Sequence, residues 1–171
     1  YYRRALPKVQ TLQALLRHEA IGPVHSFQVT LQKPQPVVSD TSELPWRLRP
    51  EVAGGGLFMD LAPHAIDLIQ YLLGAVTTVQ ASVQNFSQIA AVEDHVSAVF
   101  TLDNGVTGVG QWEFSGANYA DEMVIRGERG TLAFGIHSTD PLVVCNENGE
   151  QSIPHETPAV IQKPMISDVV G

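Results

Sequence analysis

An acid, an imidazole and a second acid recur at Asp60, His64 and Asp67. At about 100° per residue on an α-helix, His64 falls about 40° from Asp60 and Asp67 returns to within about 20° of it, so the three line one ridge. Histidine both takes and gives a proton near neutrality. A carboxylate one turn away can hold its tautomer, stabilise the imidazolium and raise its basicity. Gly54, Gly55 and Gly56 open the segment, where they would let a substrate or cofactor approach the backbone beside unpaired helix N–H groups. Pro63 cannot donate to the carbonyl of Met59, so the helix either begins near Pro63 or bends there. Other uses of the same residues stay open at this point. His64 can be structural with Asp60 as an N-cap, the glycines can be only a flexible loop, and the trio can be part of a metal site, although no fourth ligand lies nearby.

The ridge needs a scaffold, and the rest of the chain supplies one. Leu6, Val9, Leu12, Leu15 and Leu16 keep a helical period up to Gly22, which reads as a stop with Pro23 behind it. Arg3, Arg4, Lys8 and Arg17 read most simply as solvated side chains. Phe27, Val29 and Leu31 alternate with glutamines and a threonine, the mark of a strand with one buried face. A loop from Pro34 to Gly56 holds Trp46 and Arg47; a loop that long points to function, and Trp46 can equally be a loop anchor. The central helix then runs to Leu73 and stops at Gly74. Strands follow around Val79–Val83, Val96–Leu102, Val106–Phe114, Asp121–Arg126, Thr131–Ile136 and Leu142–Cys145, with a last one near Ile153. Asp103-Asn104-Gly105 is a hairpin signal. Tight turns between successive strands make them mostly antiparallel. The fold class is therefore α+β, an open, mostly antiparallel β-sheet with helices packed on one face. Trp112 and Phe114 share one face of their strand and lie either under the helices or at a subunit interface.

Composition narrows the function classes. The 171 residues are 44% hydrophobic and 16% charged, which describes one ordered domain with a substantial core. A net charge of −8 with scattered cations argues against a nucleic-acid or acidic-membrane partner. No apolar stretch approaches a membrane span and no secretory leader opens the chain, so cytoplasm is the expected location. Cys145, alone and inside Leu142-Val143-Val144, reads as a buried small hydrophobe. Glu93-Asp94-His95 reads as an ordinary exposed turn, with Asp94 on the side of Val96 and His95 opposite. His18, His25, His137 and His155 are isolated from any acid constellation and read as surface residues. Gly108-Val109-Gly110 fails as a nucleotide fingerprint because it lies inside a strand.

Gly54-Gly55-Gly56, Asp60, His64 and Asp67 resemble the signature Gly-Gly-Gly-x-x-x-Asp-x-Gly-x-His-x-x-Asp of one dehydrogenase family. It is found in the second domain of the glucose–fructose oxidoreductase/inositol dehydrogenase/MocA family of NAD(P)-dependent oxidoreductases, with Ala62 here where the family has glycine. Trp46-Arg47 is similar to the pair that precedes the signature. Tyr2-Arg3-Arg4 with Pro7, then Ile21-Gly22-Pro23-Val24, looks like the opening of that domain. The resemblance runs through essentially the whole chain. It implies that residues 1–171 are a substrate-binding and oligomerisation domain, cut at both ends, with the dinucleotide-binding domain and the extreme C-terminus absent. It also implies a hydride transfer between NAD or NADP and a secondary alcohol of a sugar, polyol or related cyclic compound. His64 would be the acid/base, helped by Asp60, with a lysine from a Glu-Lys-Pro segment that this chain lacks. Trp46 and Arg47 would contact the dinucleotide, and Asp67 would line the substrate side or support the ridge. Hydride chemistry belongs to the nicotinamide, and the protein supplies position and protons. The family commonly builds a homo-oligomer from the open sheet face and needs no metal. The chain alone is expected to be inactive. Two other classes stand beside this one: a non-catalytic ligand-binding or scaffold protein that retains the fold, and a metal-dependent enzyme using Asp60, His64 and Asp67.

Overall fold

Strand β1 (Val24–Pro34) sits in the middle of an eight-stranded sheet, and its position organises the rest. The computed structural model describes residues 1–38 and 44–170. A 3-10 turn at Tyr2–Ala5 leads into α1 (Pro7–Arg17), with proline at the helix start, where its missing N–H is no loss. After β1 come a 3-10 turn at Trp46–Leu48, α2 (Pro50–Ala53) and α3 (Leu57–Leu73). The remaining strands are β2 (Val76–Gln84), β3 (His95–Leu102), β4 (Thr107–Gly116), β5 (Ala120–Gly127), β6 (Gly130–Phe134), β7 (Leu142–Asn146) and β8 (Gly149–Ile153). A closing helix, α4, spans Lys163–Val170.

The sheet order is β2-β3-β4-β1-β5-β6-β7-β8. Every neighbouring pair is antiparallel except β1 and β4, which run parallel. The expected α+β class, with an open and mostly antiparallel sheet, is therefore observed. Phe27, Val29 and Leu31 are buried as their alternation requires. Register places Phe27 beside Gly108. A Cβ at Gly108 would lie 2.3 Å from the Phe27 ring, and one at Gly110 would lie 2.4 Å from the Trp112 ring. These glycines make room for aromatic rings in the core. Trp112 and Phe114 lie on the helix side, with Phe58 of α3 edge-on to Trp112 at 5.2 Å between ring centroids.

Several local expectations change in three dimensions. Helix α1 ends at Arg17, earlier than Gly22, because Glu19 adopts the left-handed conformation (φ 52°) that closes it, and Gly22 (φ 72°) turns the chain into β1. The long loop holds a 3-10 turn and α2, and the part at 39–43 lies outside the described residues. Strand β2 is an edge strand with no buried side chain, although its valines alternate. Cys145 is exposed, because Leu142 and Val144 take the buried face of β7 and the period of two sends Cys145 to the other. Helix α4 begins at Lys163, later than Pro158. Asp94 is buried: it accepts from the N–H groups of Phe86 and Ser87 at 2.8 and 2.7 Å, closing the loop before β3. Burial by itself would raise its carboxyl pKa, and those bonds with the Ser87 hydroxyl outweigh burial and lower it. The stretch Pro50–Leu73 is, by length and composition, apolar enough to cross a membrane, contrary to expectation. Glycines 54–56 interrupt it, and Ala62, Ala65, Leu68 and Ile69 are buried inside the fold, as in a core helix.

Candidate active site

Helix α3 passes through Pro63 without ending, so Asp60, His64 and Asp67 share the helix as the spacing required. The ridge does not bond to itself. Among the described residues each acid is held by an arginine instead. Arg47 Nε donates to Asp60 Oδ2 at 2.7 Å, with both side chains partly exposed. Arg4 Nε donates to both oxygens of Asp67 at 3.1 and 3.0 Å, and its Nη2 donates to Oδ1 as well. Asp67 is only 8% exposed, and Arg4 also lies over the Tyr71 ring at 4.9 Å. Arg4 is thus an ion-pair partner and not a free solvated cation.

The glycines before α3 serve the chain itself. A Cβ on Gly56 would lie 2.4 Å from the Glu93 carbonyl oxygen, and one on Gly55 would lie 2.4 Å from Met59 Cγ. The Gly56 N–H donates to Glu93 Oε1 at 2.9 Å. The loop before β3 therefore occupies the approach expected for a ligand, and a carboxylate already sits at the positive end of α3. Gly54 alone has open space at its Cβ position, with φ 78°.

His64 lies half-buried among rings. Tyr1, Tyr2 and His137 approach it edge-on, with centroids at 5.4, 5.5 and 5.7 Å. Its Nδ1 is buried with no hydrogen-bond partner among the described residues. Burial lowers its pKa below the ordinary histidine value, the Arg3 charge lowers it further, and Asp60 and Asp67 oppose both from a distance. An imidazole that is neutral at pH 7 is able to accept a proton from a hydroxyl.

His137 comes from the turn after β6, and three charged side chains clamp that turn. Asp121 accepts the N–H groups of Ile136, His137 and Ser138 at 3.0, 2.7 and 2.6 Å. Lys8 Nζ donates to the carbonyls of Gly135 and Ser138, each at 2.8 Å. Arg3 donates to the Ile136 carbonyl at 2.6 Å and, through Nη2, bonds His137 Nδ1 at 3.0 Å. Arg3 and Lys8 are consequently buried, the reverse of the solvated placement expected for them. Burial lowers both their pKa values, with Asp121 acting in the opposite direction. His137 is half-buried rather than a surface residue. Burial first, then the charge of Arg3, push its pKa down to about 4. His155, also half-buried, is shifted down by burial. This clamp is almost invisible in the sequence. The one local signal was Lys8, a cation four residues before Leu12 on the buried stripe of α1.

Trp46 and Arg47 stand at the rim. The Arg47 guanidinium lies 4.4 Å from the centre of the exposed Trp46 ring while it holds Asp60. A forked cation stacked on an aromatic face suits a phosphate or a flat heterocycle, so the donor set fits a dinucleotide. Among the described residues no group of three or more His, Cys, Asp or Glu side chains is placed to hold a metal ion.

Comparison with known proteins gives a consistent picture. Residues 9–133 match the family model described as the GFO/IDH/MocA C-terminal domain. The chain is 33% identical over 172 residues to Oxidoreductase P35 of Formosa agariphila, a match covering 100% of this chain and 53% of that protein. It is 35% identical over 80 residues to levoglucosan dehydrogenase of Pseudarthrobacter phenanthrenivorans, covering 47% of this chain and 20% of that protein. Levoglucosan dehydrogenase in complex with NADH and levoglucosan superposes with a TM-score of 0.77 at 24% identity, over 98% of this chain and 53% of that one. Its complex with NADH and L-sorbose gives 0.78 at 23% identity, over 98% and 54%. At those identities the superpositions speak to fold. The chain spans about half the length, or less, of these curated relatives.

Proposed function

The chain belongs to the GFO/IDH/MocA family, whose C-terminal domain it carries, and from that premise we propose that it is the substrate half of an NAD(P)-dependent oxidoreductase acting on a secondary alcohol of a sugar, polyol or related cyclic compound. The single observation that carries the proposal is His64: a half-buried imidazole with an unpartnered Nδ1, its pKa lowered, one helical turn from an accessible carboxylate. In the oxidation direction neutral His64 takes the hydroxyl proton as the carbinol carbon loses hydride, and in reduction it returns that proton. Asp60 stabilises the imidazolium through space. Arg47 restrains Asp60 and, with Trp46, is placed to meet the dinucleotide. The nicotinamide, when bound, supplies the hydride acceptor. Asp67 reaches substrate in this reading only if Arg4 releases it; in the structure it adds a second negative charge behind the ridge. The sheet face away from the helices, where Val99 and Val109 stand opposite each other and half-exposed, supports assembly of copies through that face.

The test uses the full-length protein that contains this chain, a panel of anhydrosugars, pyranoses and inositols including levoglucosan, and NAD+ or NADP+ reduction as the signal. His64→Asn is expected to lower kcat by about 10²–10⁴-fold with a smaller change in KM. Turnover by the variant equal to wild type would remove His64 from the chemistry. A second reading, a binding protein without turnover, draws on the absence of any hydrogen bond orienting His64 from Asp60 or Asp67 among the described residues. Calorimetric binding of a panel member by wild-type protein that never reduces the nucleotide would favour it.

A further inference from the structure

Arginine has donors and no acceptor. The bond between Arg3 Nη2 and His137 Nδ1 therefore requires a bare Nδ1, so the single ring proton of His137 sits on Nε2. Tautomer choice is usually open in a histidine, and here a buried guanidinium makes it. That guanidinium is itself fixed by the Ile136 carbonyl, and the turn carrying His137 is held from the other side by Asp121 and Lys8. Six backbone groups of the four-residue turn 135–138 are thus satisfied by three charged side chains. Among the described residues nothing accepts from His137 Nε2.

The two imidazoles are immediate neighbours. His137 is edge-on to His64, 5.7 Å between centroids, at 77° between ring planes. A molecule whose hydroxyl reaches His64 brings its neighbouring oxygens next to His137. We infer that His137 is a substrate-binding residue that offers an uncharged N–H to a second oxygen of the substrate, so that the site selects molecules with oxygens on neighbouring carbons. This inference rests on the acid/base reading of His64. Arg3 is a positioning residue in it: it orients His137 and biases both imidazoles toward the neutral form. The charged and titratable groups that act on His137 are Arg3, Asp121, His64 and Lys33, and all except Asp121 oppose its protonation. A charged imidazolium would attract anionic substrates, whereas a neutral donor suits hydroxyl and ether oxygens.

Two measurements on the full-length protein test this. In the first, histidine is ¹⁵N-labelled and the ring nitrogens of His137 are read by NMR from pH 7.5 to 4.5. The expected result is the Nε2–H tautomer throughout, with no ordinary titration near pH 6.5, and a shift to mixed tautomers in Arg3→Gln. An Nδ1–H tautomer or an unperturbed titration in wild type would overturn the inference. The second measurement uses the panel member turned over fastest and its monodeoxy analogues. His137→Phe is expected to raise KM about tenfold, the factor set by one hydrogen bond of about 1.4 kcal/mol, with kcat nearly unchanged. His137→Gln, which keeps a donor near the Nε2 position, is expected to recover most of that loss. One deoxy analogue should weaken wild type and leave His137→Phe indifferent, the signature of a shared contact. Activity abolished by His64→Asn yet unmoved by His137→Phe rejects this inference alone. Activity that survives His64→Asn rejects the acid/base reading, and this inference falls with it.

Discussion

Asp121 is where a single substitution probes most of the site's support. Its carboxylate accepts three backbone N–H bonds from the turn that carries His137, the two shorter ones, at 2.7 and 2.6 Å, through Oδ2. In Asp121→Asn the surviving oxygen is best placed at the two short bonds, which turns the amide N–H₂ toward the Ile136 N–H. At least one bond to a charged acceptor is lost, and such bonds contribute about 1.5–3 kcal/mol each. The negative charge that offsets buried Arg3 and Lys8 is lost as well. The expected destabilisation is about 2–3 kcal/mol for Asp121→Asn and more for Asp121→Ala, which leaves all three N–H groups without that acceptor. Urea unfolding of the full-length protein, followed by a probe in this domain, measures it, with KM for the working substrate as the functional readout. KM should rise in Asp121→Asn and should not rise further when His137→Phe is added, because both changes remove the same contact. Stability of Asp121→Asn within about 0.5 kcal/mol of wild type, the range of ordinary surface substitutions, would refute the clamp.

The Arg4–Asp67 pair should respond asymmetrically. Arg4→Gln leaves a carboxylate that is 8% exposed without its cation, whereas Asp67→Asn leaves an arginine that is 45% exposed. The first is expected to cost about 1–2 kcal/mol, reduced from the fully buried case by solvent access to Arg4, and the second clearly less; equal losses in chemical denaturation would contradict the placement. Stability should also fall as the solution is acidified from pH 7 to 5. His64, His137 and His155 all have lowered pKa values, His137 down to about 4. Between about 4 and 6.5 the unfolded chain therefore binds more protons than the folded one, and folding weakens as pH drops through that window. A urea midpoint that stays constant or rises on acidification would oppose this, and His137→Phe should flatten the dependence.

The legible parts of this protein are those encoded within a few residues. The ridge on α3 follows from a spacing of four and three, and the placement of Asp60, His64 and Asp67 on one helix survives Pro63. Alternation marked the buried faces of β1 and β4, and Asp103-Asn104-Gly105 marked the turn between β3 and β4. Strong local periods also made the α+β class readable before any long-range contact was known.

What each ridge residue bonds to was not legible. Asp60 turns to Arg47 and Asp67 to Arg4, because a charged side chain pairs with the opposite charge nearest in space, not the nearest in sequence. Strand β1 enters the sheet between β4 and β5 and runs parallel to β4, a pairing no local pattern specifies. That insertion fixes where the N-terminal turn and α1 emerge relative to the far end of β6. Arg3 thereby meets His137 across a separation of 134 residues, and Lys8 meets Gly135 across 127. Alternation predicts that a strand has two faces and leaves open which of them is covered, so β2 proved bare and Cys145 exposed. Sequence by itself determined the helix that carries the imidazole. Tertiary structure decided its electrostatic setting, because burial, the Arg3 charge and the second imidazole all arrive from segments that only the folded sheet brings together.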